Sequence, residues 1–364
     1  MGDIITLAQV AKESGVSIST VSRLLNPTHP GGKIGKRSAQ RVRDAAMRLG
    51  YVPNYHAQVM KKGSSGVVGV VLDLAREVDT DPEATALGMP YFGTMVGAIE
   101  RRTRELGVDM AIVATTDQAR AVERGLLGVK QRKYDGLLVW TSSERDLQFL
   151  IDNPMPVPVV LLGLAPRGEL PLVYWDEPAA VQMAVEHLSS LGHRELLWIG
   201  PDGPCERERL FMKAVWDGGL RGASCRYEKI DTECLGRIAE LVEAAVHKHL
   251  AAQPRTFTGV VCYNDTVAAA ACAACLDSGL KIPADLSVVG FDNVLAAVCY
   301  PHLTSVSQRL YELGRRATDL LIEMTQHEND WSKYRGLRET IAPRLVPRKS
   351  TGPIPSNSTS PSKG

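Results

Sequence analysis

The first fifty residues carry apolar positions at the spacing of an α-helix, in three short segments. In residues 6–25, TLAQVAKESGVSISTVSRLL, the apolar side chains share one helical face on either side of a break at Ser14-Gly15. Two short helices around a glycine-containing turn form a helix-turn-helix. The pattern therefore predicts this motif at the start of the chain.

Capping residues mark the ends of these predicted helices. Thr6 stands before the first helix with Gln9 three residues later, the arrangement of a capping box, and Ser17 stands before the second helix. A third amphipathic helix is predicted over residues 36–49, with Gly50 as its C-terminal stop. Residues 1–53 are therefore expected to form an all-α head.

From residue 67 onward the pattern changes to short β-branched runs that alternate with amphipathic helical stretches. The apolar runs are GVVGVVLD, DMAIV, DGLLVW, PVVLLG, ELLWIG, GVVCYND and LSVVGFD. Such alternation predicts parallel sheets covered by helices on both faces, in two α/β units. Ligands bind at the carboxyl ends of such strands, so a cleft is expected between the units.

The predicted fold class is thus α/β, with an all-α helix-turn-helix head and a two-lobed body built on parallel sheets. The expected boundaries are a head of 1–53, a hinge helix and linker of 54–66, a body of 67–348, and a tail of 349–364. Within the body, the N-lobe is expected over about 67–165 and 295–328 and the C-lobe over about 166–294 and 329–348. The tail is rich in Ser, Pro and Gly, so we expect it to be disordered.

Charge is unevenly distributed along the chain. The total is only +1, but residues 1–62 contain ten Lys or Arg and three Asp or Glu, a balance of +7 against −6 for the remainder. A basic head on a mildly acidic body predicts a polyanionic partner for the head alone.

The seven cysteines indicate a reducing compartment, because they are odd in number and lie scattered through apolar stretches. The first ten residues lack the pattern of an exported leader, and no run is long and apolar enough for a membrane span. A cytoplasmic protein is expected. Cys272 and Cys275 have redox or half-zinc spacing, but small buried thiols in an alanine-rich helix are the preferred interpretation. No metal or cofactor is expected.

The second predicted helix carries the chemistry for reading DNA, because polar groups at its N-terminus can meet base edges in the major groove. Residues expected to face bases are Ile18, Ser19 and Arg23, and those placed for phosphates are Thr20, Ser22 and Asn26. The alternative is an ordinary pair of antiparallel helices with a solvated face. The basic charge of the head favours DNA, since Lys and Arg supply most nonspecific affinity.

Specific strings along nearly all of residues 4–351 resemble the lactose-repressor (LacI/GalR) family of transcription regulators. They include TLAQVAKESGVSISTVSRLLN, MRLGYVPN, YDGLLV, VEHLSSLGHRELLWIG, YNDTVAAAACAACLDSGLKIPADLSVVGFDN and APRLVPRKST, in that order. The resemblance implies a body like the periplasmic binding proteins and a homodimer on near-palindromic operator DNA. It also implies a hinge helix from each subunit in the minor groove.

By this resemblance Ile18 and Ser19 take the base-reading positions, supported by Arg23, and Met60 replaces a leucine that wedges between base pairs. Packing within the hinge is the alternative for Met60. The residues expected to contact DNA are Thr6, Ser17, Ile18, Ser19, Thr20, Ser22, Arg23, Asn26, Tyr51, Asn54, Ala57, Met60 and Lys61.

The stretch after the second helix departs from the family. Residues 27–34 make a loop about three residues longer than usual, and Gly35 replaces a capping serine. Glycine is tolerated at an N-cap, so the third helix is expected to form. We expect the longer loop either to add a contact to the DNA backbone through Lys33 and Lys36 or to be a surface loop only.

The resemblance also implies a small-molecule effector, expected to be a sugar or a related metabolite, held by Arg209, Asn264 and Asp292. A guanidinium, an amide and a carboxylate offer directional bonds to hydroxyl groups. Alternatives are a surface salt bridge for Arg209 and a turn role for Asp292. The aromatic residues Phe92, Trp140 and Trp175 lie near predicted strand ends, where they stack on the ligand or belong to the core.

Gly163 replaces a strand-end acid, and Met212-Lys213 replaces the Gly-Phe pair expected after the arginine, so no particular sugar is predicted.

The predicted function is therefore a sequence-specific transcription regulator, expected to be a repressor, whose effector shifts a population between DNA-binding and released states. A two-lobed solute-binding protein is one alternative, and a sugar-acting enzyme is another. The basic head disfavours the former, and the sequence shows no nucleophile elbow, phosphate loop or metal cluster for the latter.

Overall fold

A computed structural model of the chain describes residues 5–25, 34–53, 63–72, 82–113, 121–140, 144–153, 156–163, 168–202, 205–227, 238–251, 256–326 and 330–354. The chain divides into two compact units, a head of residues 1–65 and a body of residues 66–364.

Three helices form the head. They are α1 (Leu7–Ser14), α2 (Ile18–Leu24) and α3 (Lys36–Leu49). The predicted capping box is confirmed, because the Thr6 side chain accepts from the Gln9 N–H and the Gln9 side chain reaches back to the Thr6 N–H. Ser17 accepts from the Thr20 N–H at 3.2 Å, and Gly50 ends α3 in the left-handed conformation.

The core of the head is small and built from short side chains. Val10, Val21, Val42 and Ala45 are fully buried where the three helices meet. Short side chains let the helices approach closely, so a modest apolar area fixes their mutual orientation. The polar faces of all three helices are left to solvent.

The body is built from eight helices and twelve strands among the described residues. The helices are α4 (Pro82–Glu105), α5 (Ala121–Lys130), α6 (Glu144–Asp152), α7 (Glu177–Ser190), α8 (Glu206–Asp217), α9 (Ile238–Ala251), α10 (Asp265–Asp277) and α11 (Leu310–Thr325). The strands are β1 (Val67–Leu72), β2 (Asp109–Val113), β3 (Gly136–Trp140), β4 (Val159–Leu162), β5 (Leu172–Trp175), β6 (Glu195–Pro201), β7 (Arg221–Tyr227), β8 (Gly259–Cys262), β9 (Ser287–Phe291), β10 (Thr304–Ser307), β11 (Arg338–Ile341) and β12 (Arg344–Val346).

Two six-stranded sheets confirm the predicted pair of α/β lobes. The N-lobe sheet has the order β11-β5-β4-β3-β1-β2 and is parallel throughout. The C-lobe sheet has the order β12-β10-β9-β8-β6-β7 and is parallel except for β12, which pairs antiparallel with β10. The inner strands β1, β3, β4, β8 and β9 are almost continuously apolar and buried, as expected for sheets covered on both faces, whereas the edge strands β2, β11 and β12 are partly exposed.

The chain passes between the lobes at positions different from the predicted lobe boundaries. Strands β5 and β11 pair with each other in the N-lobe, and β10 pairs with β9 in the C-lobe. The connections are therefore Asp176, residues 308–309 and residues 342–343. The predicted boundaries were wrong by one strand each, because strand pairing rather than local composition decides lobe membership.

Part of the predicted disordered tail is instead fixed to the C-lobe. The Ser350 carbonyl accepts from the Val288 N–H at 2.8 Å. The Gly352 N–H donates to the Ser287 hydroxyl, and the Gly352 carbonyl lies 3.1 Å from His193 Nε2. Composition suggested disorder for residues 349–354, but these backbone bonds hold them as a strap. Residues 355–364 lie outside the described residues.

We expect Ser350→Ala to destabilise the body by about 1–3 kcal/mol. The buried Ser350 hydroxyl accepts from the Thr304 N–H at 2.8 Å and donates to the Val288 carbonyl at 2.6 Å, and alanine would leave both groups unsatisfied. Chemical denaturation of the full chain measures the change, with exposed Lys349→Ala as the control. Equal stability of the two variants would contradict this role of the strap.

Candidate functional site

The N-terminal end of α2 presents a small surface suited to a DNA groove. Ile18 is 52% exposed, and Ser19 and Arg23 are also exposed. The Ser17 hydroxyl lies 2.9 Å from that of Ser19 and 2.8 Å from that of Thr20. The hydroxyls therefore form one connected group beside an apolar side chain.

The remaining predicted DNA contacts fall into two groups. Thr6 caps α1, Tyr51 packs beside the head core, and Ser22 is partly exposed on α2. The others lie outside the described residues and are Asn26, Asn54, Ala57, Met60 and Lys61.

A cavity of about 620 Å³ opens in the body at the carboxyl ends of its parallel strands. Both lobes line it. The lining residues are Gly163, Tyr174, Trp175, Asp176, Glu177, Pro178, Pro201, Cys205, Glu206, Arg207, Leu210, Tyr263 and Thr340. We call this cavity the cleft.

The guanidinium of Arg207 is the most constrained charged group of the cleft. It forms an ion pair with Glu177 through Nε and, at 3.3 Å, through Nη2, and it donates to the Tyr263 carbonyl through Nη1. Its carbon lies 4.6 Å from the centre of the Phe291 ring and 5.0 Å from that of Tyr263. Aromatic contacts and hydrogen bonds together fix its plane.

Burial and pairing shift the pKa values of this ion pair. Burial acts to raise the pKa of Glu177, but the Arg207 charge and the hydrogen bonds from Arg207 and Trp175 outweigh it, so the pKa lies below its ordinary value. Burial acts to lower the pKa of Arg207, and Glu177 outweighs it, so that pKa is raised. Both groups are therefore charged.

Asp292 belongs to the same electrostatic cluster and connects it to the N-lobe. Burial raises the pKa of Asp292 to about 7, although the charge of Arg207 acts in the opposite direction. Gln308 donates to the Asp292 carboxylate at 2.8 Å and accepts from the Tyr91 hydroxyl at 3.3 Å. This chain of bonds links a C-lobe strand end to α4.

The backbone at Asp292 is held in a conformation that non-glycine residues rarely adopt. Asp292 and Asn293 have φ values of 90° and 55°. Nearby, Asp265 accepts from the Val294 and Leu295 N–H groups at 2.9 and 3.2 Å. Such strain persists only where surrounding bonds impose it, and it is a common feature of binding sites.

Arg209, a predicted effector ligand, does not reach the cleft. Its side chain is 64% exposed and pairs with Glu206 on the surface of α8, whereas that of Arg207 is only 9% exposed. The assignment to Arg209 was wrong. Arg207 lies three, four and seven residues before the buried positions 210, 211 and 214, so it shares their face of the helix. This helical periodicity was a signal in the sequence for the correct arginine.

The three predicted aromatic residues differ in position, because Phe92 and Trp140 pack with the N-lobe core and are not among the described residues that line the cleft. Trp175 lines the cleft, and Phe92 packs edge-on against Trp140 with ring centres 4.8 Å apart. Gly163 has φ 68°, and a side-chain carbon there would come within 2.5 Å of the Trp175 ring. Glycine at position 163 therefore leaves the space that the Trp175 indole occupies. The Trp140 Nε1 has no hydrogen-bond partner among the described residues.

Asn264 has a structural task in addition to any ligand contact, because its side-chain oxygen caps α10 through the Val267 N–H at 2.9 Å. Sequence reasoning did not predict Glu177, Tyr91, Tyr263 or Gln308.

Within the described ranges, no group of three or more His, Cys, Asp or Glu side chains is arranged to hold a metal ion. No helix among the described residues has the length and hydropathy needed to cross a membrane.

A basic helix-turn-helix head with exposed residues at the start of α2, together with a two-lobed body that encloses a polar and aromatic cleft, is typical of ligand-responsive DNA-binding proteins. Comparison with known proteins agrees. The model of bacterial regulatory proteins of the lacI family matches residues 6–54, and that of the periplasmic binding protein-like domain matches residues 185–351.

Relatives match over almost the full length of the chain. The HTH-type transcriptional regulator DegA of Bacillus subtilis (strain 168) is 28% identical, covering 96% of this chain and 98% of DegA. The Lac repressor dimer bound to operator and the anti-inducer ONPF has a TM-score of 0.78 at 23% identity, covering 96% of this chain and 100% of the repressor chain. The transcriptional regulator CelR in complex with cellobiose has a TM-score of 0.62 at 22% identity, covering 95% and 99%.

The head carries the DNA-binding region of the lacI family over residues 6–54, and the chain is a DNA-binding transcriptional regulator with an effector-binding body.

The raised pKa of Asp292 predicts a pH-dependent stability difference between wild type and Asp292→Asn. Folding raises this pKa from an ordinary value near 3.8 to about 7, so the stabilising contribution of Asp292 is present below its unfolded pKa and lost as pH rises through its folded pKa. The unfolding free energy of wild type relative to Asp292→Asn should fall by on the order of 2 kcal/mol between about pH 5 and pH 8.

Denaturant unfolding at several pH values measures this difference, and exposed Asp217→Asn corrects for general effects of pH. A difference between wild type and Asp292→Asn that stays constant with pH would contradict the raised pKa.

Proposed function

We propose that the protein is a cytoplasmic repressor that binds near-palindromic operator DNA as a homodimer and changes its DNA affinity when an effector, a carbohydrate or a related metabolite, occupies the cleft. The observation that carries the effector half of this proposal is the buried Arg207, whose plane is fixed by Glu177, Tyr263 and Phe291. A rigid donor array at strand ends suits a ligand with several hydroxyl groups.

For the DNA half, we propose that Ile18 contacts an apolar base edge such as a thymine methyl and that Arg23 contacts a base or positions α2. The exposure of Ile18 and Arg23 supports this assignment. Thr20 and Ser22 are proposed to bind phosphates, which fix the register without specifying sequence. Met60 is proposed to wedge into the minor groove.

For the effector half, we propose that Trp175, Arg207 and Asp292 contact the ligand, with Asn264, Phe92 and Trp140 beside them. The cellobiose named in the CelR complex supports a carbohydrate. Binding would draw the lobes together and alter how two subunits meet, with a coupling free energy of about 1–3 kcal/mol.

Catalysis is not proposed. The described acidic and basic side chains of the cleft are engaged in ion pairs, a helix cap and the Asp292–Gln308 hydrogen bond. Burial raises the pKa of the Cys205 thiol, which favours its less nucleophilic protonated form.

Binding of the full-length chain to DNA tests the proposal. Duplexes selected by the protein from a random library serve as operator, and unselected duplex serves as the nonspecific control. Arg23→Ala should weaken binding to selected duplex by about 1–3 kcal/mol while changing nonspecific binding less. Arg221→Ala, at an exposed position of the body, is the matched control.

Unchanged affinity of Arg23→Ala for selected duplex would refute the role of Arg23. A folded protein that retains neither kind of duplex at low salt would refute the regulator proposal as a whole.

The correction from Arg209 to Arg207 gives a separate prediction for the cleft. Arg207→Lys keeps the charge but loses the planar donor fork, so the affinity for any sugar that stabilises wild type should fall about tenfold or more. Arg209→Ala should leave that affinity unchanged. Calorimetry on hits from a neutral-sugar thermal-shift screen that includes cellobiose measures both. Loss of binding in Arg209→Ala alone would restore the original assignment.

A further inference from the structure

The cleft contains its own anion, Glu177, in the place where an anionic ligand would bind. Glu177 lies in the first turn of α7, one residue after Asp176, which caps that helix through the Ala179 N–H at 2.9 Å. The side chains of Glu177 and Arg207 are 20% and 9% exposed. Their ion pair is therefore largely removed from solvent and weakly screened.

The ion pair uses the part of Arg207 that recognises anions. A guanidinium binds carboxylate or phosphate best through two parallel N–H groups, and Arg207 directs Nε and Nη2 at the two oxygens of Glu177. A third N–H donates to the Tyr263 carbonyl. Of its five N–H groups, two have no protein acceptor among the described residues and are left for a ligand.

Two helices that begin at the cleft, α7 and α8, carry acids of the chain itself at their N-termini. Helices α7 and α8 begin at the cleft lining, and such N-termini are the usual backbone sites for phosphate groups. Asp176 and Glu177 begin α7, and Glu206 begins α8. These carboxylates interact favourably with the partial positive charge at the helix N-termini and repel a second anion.

The sign of the remaining charge is acidic. Among the described residues, the acidic and basic side chains that line the cleft are Asp176, Glu177, Glu206 and Arg207, and Asp292 lies within the same electrostatic cluster. Arg209 compensates Glu206 from outside, and Glu177 compensates Arg207. Among the described residues, an entering phosphate would therefore meet these acids and no cation that lacks a carboxylate partner.

We propose that Glu177 is a specificity-determining residue that restricts the cleft to uncharged or cationic hydroxyl-bearing ligands and excludes phosphorylated and carboxylated metabolites. This inference rests on the proposed effector role of the cleft. Hydroxyl oxygens accept from the two remaining Arg207 N–H groups, hydroxyl or ammonium protons are donated to the acidic groups, and Trp175 covers an apolar face of the ligand.

The test uses inorganic phosphate and glucose 6-phosphate as anionic probes on the full chain, with ionic strength held constant. In Glu177→Gln the size of the side chain is kept and the amide oxygen still accepts from Arg207 Nε, but the amide nitrogen is a donor and cannot replace the oxygen that accepts from Arg207 Nη2 and Trp175. The guanidinium thereby loses its counterion. Glu177→Gln should bind both probes saturably and at least about tenfold more tightly than wild type.

Two control variants separate the charge of Glu177 from other effects. Glu186→Gln makes the same charge change at an exposed position of the same helix, and it should respond to the anions as wild type does. Glu177→Asp keeps the charge and should continue to exclude both probes. If Glu177→Gln does not fold, the double variant Glu177→Gln/Arg207→Lys is compared with Arg207→Lys. Tighter anion binding by the double variant than by Arg207→Lys, together with weak anion binding by wild type, supports the same conclusion.

Equal anion affinity in wild type and Glu177→Gln would overturn the proposal, as would tight binding of glucose 6-phosphate to wild type. The proposed function is tested by a separate measurement, the change in affinity for selected duplex DNA when a ligand is added. Anion exclusion is measured without DNA, so each result stands whatever the outcome of the other.

Discussion

The buried guanidinium of Arg207 is the interaction on which the geometry of the cleft depends. Leaving such a charge unpaired away from water would cost several kcal/mol, so the surrounding structure must supply a counterion and acceptors. Glu177 from the start of α7 and the Tyr263 carbonyl from the end of β8 meet this requirement, and two rings confine the plane. One charge thereby fixes the relative positions of the ends of β8 and β9 and the starts of α7 and α8.

The head is organised by a different constraint, because a unit of this size has little apolar area to bury. Its stability relies on close approach of helices through valine and alanine and on local capping at Thr6, Ser17 and Gly50. Side chains on the outer face of α2 are thus not needed for the core. They are available for contact with a partner, so substitutions there are expected to leave the core of the head intact.

The parts of the fold that were predictable from sequence depend on local physics. Helix ends in the head follow from caps, and the helix over residues 36–49 begins and ends where the pattern placed it. The buried strands of both sheets follow from their β-branched runs. Lobe membership of β5, β10 and β11 did not follow, because it is decided by pairing with strands that are distant in sequence.

The candidate site shows the same division. Trp175 and Asp292 were predictable because they stand at strand ends. The arginine of the cleft was not, because matching the family motif alone selected Arg209, two residues away from Arg207. Helical spacing from the apolar face selects Arg207 and rejects Arg209. Glu177 could not be inferred as its partner, since the two residues belong to different elements.

The position of the cleft relative to the lobe connections explains how one ligand can affect both lobes. Trp175 and Glu177 flank the first connection at Asp176, Gln308 lies in the second, and Thr340 lies two residues before the third. A group bound to Asp292 competes for or strengthens the bond from Gln308, which in turn is bonded to Tyr91 of α4. Because these contacts lie where the chain crosses between lobes, a ligand bound there would touch the segments that join the two sheets, which is where a hinge would have to move.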